Sequence, residues 1–332
     1  MRVAVLGAGA FGTALATQLA GKQHEVVMWV RSADDARHLN ETHESRYLVG
    51  HTLPASITAT HELAAAVAGR PMIVAVTPSH GIRGVLTQAG PLLDPDAIVV
   101  NAAKGIEEGT LHTIDRVYAE VLPAAIAKRA AFLSGPTFAK ELARGLPSAI
   151  VVASHDHAAA ETVQRELSSD TLRVYTTEDV TGVELGGALK NVCAIGAGIA
   201  DGLGFGLNTR AALITRGLSE MARLGQKMGA DPLTFSGLAG IGDLVLTCTG
   251  DLSRNRQVGL ELGRGRALAE ILAGMSAVAE GVRTTRAAHA LAQREGVDMP
   301  ITAAIHAVLY EGVSARDAVV KLLRREPKRE RG

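Results

Sequence analysis

The stretch RVAVLGAGAFGTALATQLA, residues 2–20, constrains the fold more than any other part of the chain. A β-branched run ends at Leu6, glycines follow at Gly7, Gly9 and Gly12, and a segment of helical length comes next. At that spacing the first glycine permits a tight turn after a strand. The second lets backbone approach a ligand's phosphates, and the third lets helix and strand pack closely. An anion held there meets the unpaired N–H groups and the positive dipole end of a helix. The motif therefore predicts a Rossmann-type βαβ unit binding a dinucleotide, with a glycine-rich turn of no further purpose as the plainer alternative.

The rest of the N-terminal half fits this start. RVAVL, EVVMWV, MIVAV, AIVVN, AAFLS and SAIVV are continuous rather than alternating apolar runs, the pattern of strands in a parallel sheet covered on both faces. Segments 12–20, 79–89, 110–120 and 137–144 have helical length between them, giving a doubly wound α/β domain. After Tyr175 strand-like runs vanish. Helical periods follow over roughly 178–200, 208–228, 266–273, 280–295, 300–309 and 314–322. The expected division is a dinucleotide-binding domain at 1–178 and an all-α substrate domain at 179–332, two cores being natural for 332 residues. The closing RREPKRERG reads as a solvated tail.

Lys plus Arg and Asp plus Glu both number 34, so no net field draws the chain to nucleic acid, and any anion must be held locally. Cys193 and Cys248 lie far apart with neither CxxC spacing nor clustered histidines, which predicts reduced, buried thiols and no metal. The apolar run from Val3 to Ala16 has the length of a secretory segment, but its glycines would weaken the helix such a segment forms. With no stretch of about eighteen consecutive apolar residues, membrane insertion is not expected and a cytoplasmic protein is.

Cofactor choice turns on the end of EVVMWVRSADD, where a carboxylate would bind a ribose 2′-hydroxyl and an arginine would pair with a 2′-phosphate. Arg31 favours NADP(H); Asp34 and Asp35, a turn further on, keep NAD(H) open.

ELGGALKNVCAIGAGI, residues 184–199, places Lys190 among small and apolar residues. On a helix its neighbours three and four positions away are Gly186, Gly187, Cys193 and Ala194, a face that leaves a hollow for packing or a ligand to fill. A lysine withdrawn from water has a lowered pKa and protonates a forming alkoxide well; a lysine snorkelling outward fits the spacing equally. Three further stretches favour a site. NAAKGIEEGT puts Lys104 after a strand. SGPTFAKEL joins strand to helix through Gly135 and Pro136, with Thr137 placed to cap the helix. AGIGDLVLTCTGDLSRNRQVG supplies Asp243, Ser253, Arg254 and Asn255, of which Asp243 and Ser253 also read as ordinary helix caps. Two lysines, an arginine and helix amides near a nicotinamide would suit a small phosphorylated carbonyl compound.

Taken together, LGAGAFGTALA, NAAKGIE, SGPTFAKEL, ALKNVCAIGAGIADGLGFGLNT, GIGDLVLTCTGDLSRNRQVG and AVAEGVRT resemble the bacterial NAD(P)-dependent glycerol-3-phosphate dehydrogenases over nearly the whole chain. That resemblance implies reversible reduction of dihydroxyacetone phosphate to sn-glycerol 3-phosphate for phospholipid synthesis. It makes Lys190 the proton donor and Asp243 its orienting partner. Lys104, Gly135 and Thr137 would border the substrate, and Ser253, Arg254 and Asn255 would gather its phosphate and hydroxyls. Cofactor contacts would come from Gly7, Gly9, Ala10, Phe11, Gly12, Arg31, Lys104, Ala139, Arg254, Val278 and Glu280. Ala10 and Phe11 stand where serine and tryptophan are frequent in the family, changes that remove no charge. A homodimer is compatible with this picture. The competing readings are a carboxylate-directed relative, of β-hydroxyacid dehydrogenase or ketopantoate reductase type, and a non-catalytic NADP(H) sensor.

Overall fold

The structure is a computed structural model and describes residues 1–275, 279–326 and 329. Val278, expected at the cofactor, lies outside the described residues, as do five positions of the charged tail. The N-terminal half runs β1 (Arg2–Leu6), α1 (Ala10–Gly21), β2 (Glu25–Trp29), α2 (Ala33–Thr42), β3 (Ile57–Thr60), α3 (Leu63–Val67), β4 (Met72–Ala75), α4 (Ser79–Ala89), β5 (Ile98–Asn101), α5 (Ile114–Val121), α6 (Ala124–Lys128), β6 (Ala131–Ser134), α7 (Ala139–Ala143), β7 (Ser148–Ser154), α8 (His157–Leu167) and β8 (Leu172–Thr177). The helical half follows as α9 (Val180–Gly202), α10 (Gly206–Lys227), α11 (Asp243–Thr249), α12 (Arg254–Gly263), α13 (Leu268–Ala273), α14 (Glu280–Glu295), α15 (Pro300–Tyr310) and α16 (Ala315–Leu323).

The strands form one eight-stranded sheet in the order β3-β2-β1-β4-β5-β6-β7-β8. Both faces are covered: Val3 and Val5 pack into one apolar cluster, Ala4 and Leu6 into the other. This double burial explains why the central strands are apolar without alternation. One pairing departs from the expected parallel sheet, since β7 runs antiparallel to β6. The short helix α7, Ala139–Ala143, lies between them.

The third apolar cluster belongs to the helices and is centred on α9. Helix α9 is long and apolar enough to cross a membrane, but that window is wholly buried within the protein, so it serves as a core helix. Glycines set how closely α12 approaches it. A Cβ built on Gly198 would lie 2.0 Å from the carbonyl oxygen of Arg256, and one on Gly259 equally close to that of Ile195. Backbone therefore packs on backbone, and the polar start of α12 is brought beside the middle of α9.

Candidate active site

The glycine turn is built for a ligand on one side and for packing on the other. Gly7 has φ +125°, a conformation that L side chains rarely adopt. A Cβ on Gly12 would stand 2.1 Å from the Gly7 carbonyl oxygen, whereas one on Gly9 meets nothing within 4 Å. Gly9 is the N-cap of α1 and offers no side chain to the helix amides. Thr77, just beyond β4, has a buried hydroxyl with no partner among the described residues. Its neighbourhood is the same turn, for its backbone nitrogen would be 3.3 Å from a Cβ on Gly7. An open helix N-terminus and an unspent buried hydroxyl fit a pyrophosphate-bearing cofactor.

Across the cleft Lys190 is not a snorkelling side chain, being 7% exposed. Its ammonium donates to Asp243 Oδ1 and, at 3.0 Å, to Thr247 Oγ1. Asp243 is fully buried and accepts from Lys104 Nζ at 2.8 Å through its other oxygen. One carboxylate thus bridges two ammonium groups. Burial pulls the Lys190 pKa down to about 8; Asp243 opposes that shift and Lys104 adds to it. Burial pushes Asp243 the other way, but the two lysines outweigh it and hold the carboxyl below its usual range.

The hollow expected beside Lys190 is closed by packing. A Cβ on Gly186 would lie 2.4 Å from the Ala239 carbonyl oxygen, and one on Gly187 only 2.9 Å from Ser134 Oγ. Small residues therefore let the turn at Leu238–Gly242 and the end of β6 press against α9. Thr247 was not visible in the sequence as a site residue. Its position four after Asp243, one helical turn, is the signal that could have found it.

The remaining candidates divide between the centre and its rim. Gly135, at φ +133°, turns its carbonyl to Lys104 Nζ at 3.5 Å. Thr137 does not cap α7 as its position suggested. Phe138 is the N-cap, and the Thr137 hydroxyl donates back to the Gly135 carbonyl at 3.2 Å, because the turn after Pro136 delays the helix to Ala139. Phe11 lies beside the site, its ring centroid 6.0 Å from Lys104 Nζ. Ala10 and Ala139 are the first residues of α1 and α7.

Ser253 caps α12 by accepting from the Arg256 N–H, so the cap reading of that serine holds geometrically; its hydroxyl proton remains to be given. Arg254 is exposed at the start of the same helix and acts electrostatically on Glu280 at the start of α14. Burial raises the Glu280 carboxyl, which Arg254, Lys104, the Ser79 N–H and Lys190 partly counteract. Asn255 is committed to protein: it accepts from Gly281 N and donates to Asn191, each at 2.9 Å. Arg31 is exposed two residues after the end of β2. The rival carboxylates there are paired, Asp34 with Arg37 and Asp35 with Arg46.

A doubly wound sheet presenting a glycine turn and a helical half presenting a buried lysine–carboxylate–lysine cluster together define a two-domain dehydrogenase. Two family models match: the N-terminal model of NAD-dependent glycerol-3-phosphate dehydrogenase over residues 2–160 and the C-terminal one over 179–320. The chain belongs to that family. It is 55% identical to the glycerol-3-phosphate dehydrogenase (NAD(P)+) of Geobacter metallireducens over 100% of this chain and 99% of the relative. The crystal structure of the Coxiella burnetii glycerol-3-phosphate dehydrogenase superposes with a TM-score of 0.93 at 39% identity, covering 98% of this chain and 99% of that one. A PanE/ApbA family ketopantoate reductase from Ralstonia eutropha is alike in fold alone, with a TM-score of 0.60 and 16% identity over 96% and 100% of the two chains.

Proposed function

We propose that this protein catalyses the reversible, NAD(P)H-dependent reduction of dihydroxyacetone phosphate to sn-glycerol 3-phosphate, the backbone of glycerophospholipids. The observation that carries the reading is the Asp243 carboxylate holding Lys190 and Lys104 together in a buried cluster, within a chain 55% identical to an enzyme of that name.

When bound, the nicotinamide supplies the hydride that reaches the ketone carbon. Lys190 gives its proton to the developing alkoxide, and a pKa of about 8 suits a donor working near neutrality. Asp243 aims that ammonium and keeps it charged, while Lys104 adds positive potential where the oxygen becomes negative. Gly135 and Thr137 border the substrate, and Ser253 and Arg254 gather its phosphate. Asn255 acts on this reading through the tie it makes to Asn191 and Gly281. Gly7, Gly9, Gly12, Ala10, Phe11, Ala139 and Glu280 line the cofactor, whose pyrophosphate faces the start of α1.

NADP(H) is the preferred form in this reading. Arg31 can pair with a 2′-phosphate, and the nearby carboxylates that would favour a 2′-hydroxyl, Asp34 and Asp35, are paired with Arg37 and Arg46. Burial first, then Arg283 and, after an opposing effect of Glu108, Arg31 depress His80, so Arg31 and Arg283 both lie near that side chain. The cofactor half is taken as 1–178 and the substrate half as 179–332, with β8 ending at Thr177 and α9 starting at Val180 in support. A cytoplasmic location accords with the burial of the one long apolar helix among the described residues.

The test follows loss of NADPH absorbance with dihydroxyacetone phosphate for the parent and for Lys190→Met. Oxidation by the parent, and a loss of about a hundredfold or more in the variant with NADPH binding intact, is the expected result. Equal rates would remove Lys190 from the chemistry. Turnover of a 2-keto acid in preference to the phosphate would transfer the protein to the carboxylate-directed enzymes.

A further inference from the structure

Beside Lys104 lies a small cavity of about 10 Å³ lined by Asn101, Lys104, Ser134, Glu184 and Gly187 among others. That is close to the smallest volume that holds one water molecule. Ala103, Phe132, Leu133 and Val183 make most of its wall apolar, and the polar groups that reach it are few. Ser134 Oγ is buried and has no partner among the described residues. Lys104 donates to Asp243 and to the Gly135 carbonyl, leaving a third ammonium proton available. Glu184 is 8% exposed and accepts the Asp115 N–H with both carboxyl oxygens at 3.2 Å. The Asp115 carboxyl neighbours Glu184, acts on it electrostatically and is itself 17% exposed. From the buried lysine towards the surface the groups follow in order: Lys190, Asp243, Lys104, the cavity that Lys104 and Glu184 both line, Glu184 and Asp115.

We propose that this series is the proton supply of the catalytic lysine, with one water molecule in the cavity joining Lys104 and Ser134 to Glu184. The inference rests on the dehydrogenase reading above and gives its proton a source. In reduction the Lys190 ammonium loses a proton as the product O–H bond forms, leaving a neutral amine. Lys104 transfers a proton to Asp243 Oδ2, and rotation of the resulting carboxyl about its Cβ–Cγ bond presents that O–H to the Lys190 amine, which takes the proton and restores the carboxylate. The cavity water reprotonates Lys104, the Glu184 carboxyl reprotonates the water, and Glu184 recovers its proton from solvent through Asp115. One solvent proton enters per turnover, and no step of the path moves electrons other than the N–H and O–H bonding pairs; in oxidation the order reverses.

The charge environment suits a group that stores a proton. Burial first, and then the neighbouring Asp115, push the Glu184 carboxyl well above its usual range. The titratable and charged groups facing it are Asp115 and Tyr118 from α5 and Lys104 from the segment after β5; Arg116 sits 4.0 Å from Asp115 on the outer side. Ser134, from β6, is uncharged.

The test compares the parent with Glu184→Gln, which keeps shape and an acceptor for Asp115 N–H, and with Ser134→Ala. The expected result is a fall in kcat for reduction of about tenfold in Glu184→Gln and less in Ser134→Ala. KM and NADPH affinity should be unchanged, and the solvent deuterium isotope effect on kcat should be larger in both. A Glu184→Gln protein that binds NADPH normally and keeps the parental kcat and isotope effect overturns the path; if that variant does not fold, the same readings on Ser134→Ala decide. Infrared spectroscopy of the resting protein at neutral pH judges the proton store without turnover. A carboxylic acid C=O band lost in Glu184→Gln supports it, and a parent without that band overturns it. An inactive parent would defeat the dehydrogenase reading and leave the infrared result to stand for the carboxyl alone.

Discussion

In the proposed reaction, Lys190 combines a cost in stability with a use in chemistry. An unfolded lysine titrates near 10.5 and this one at about 8, so between those values the unfolded chain binds more protons than the folded one. Stability contributed through Lys190 therefore rises with pH across that window, while the acid needed for reduction disappears. The rate of reduction should fall as pH increases through about 8, and the oxidation rate should rise; a pH profile of kcat in both directions checks this. Asp243 raises the lysine's pKa, so Asp243→Asn should move the reduction profile to lower pH as well as lowering it. An upward shift would contradict the bridging role. At the rim, Arg254→Ala should raise the substrate KM by about ten- to a hundredfold, the worth of a charge-assisted hydrogen bond at roughly 1.5–3 kcal/mol, with a smaller change in kcat. An unchanged KM would put the phosphate elsewhere.

Between elements, the contact that most affects the site is the crossing of α9 and α12. Gly198 and Gly202 on one helix meet Gly259 and Gly263 on the other, each with a neighbouring carbonyl oxygen within 2.5 Å of where a Cβ would be. Backbone cannot move aside as a flexible side chain can, so Gly259→Ala should cost about 3 kcal/mol or more in urea denaturation. Any folded fraction should show a raised substrate KM, because Ser253 and Arg254 ride on α12. The same scale shows which elements were hidden in the sequence. The inner strands announce themselves as apolar runs because both faces are buried. The edge strands β3 and β8, ITAT and LRVYTT, alternate buried with more exposed positions, and such short alternation is hard to separate from loop. Helix α2, ADDARHLNET, buries only Ala36 and Leu39, too few to stand out.

For the whole molecule, the proposed cofactor cleft would take the glycine turn and Phe11 from the first half and Glu280 and Arg254 from the second. NADPH at a hundred times its Kd should therefore add about 2.7 kcal/mol to the stability of the folded protein, seen as a higher Tm. Gly9→Val separates fold from binding. Its added atoms begin in open space, so the ligand-free Tm should stay near the parent's while the rise with NADPH is lost. A Tm rise equal to the parent's would mean that the phosphates do not approach Gly9.

The sequence by itself determined the glycine turn, the inner strands, most of the long helices and the identity of the lysines, because these depend on residues within a few positions of one another. Which reading of Lys190 is right was not among them. Asp243 lies 53 positions from Lys190 and 139 from Lys104, and only tertiary packing decides that one carboxylate meets both. The same distance in sequence hid the tie of Asn255 to Asn191 and the cavity shared by Ser134 and Glu184. Local pattern reports which face of an element is buried; what that face meets is set by how closely elements approach, and here glycines such as Gly187 and Gly198 allow approaches that no side-chain periodicity encodes.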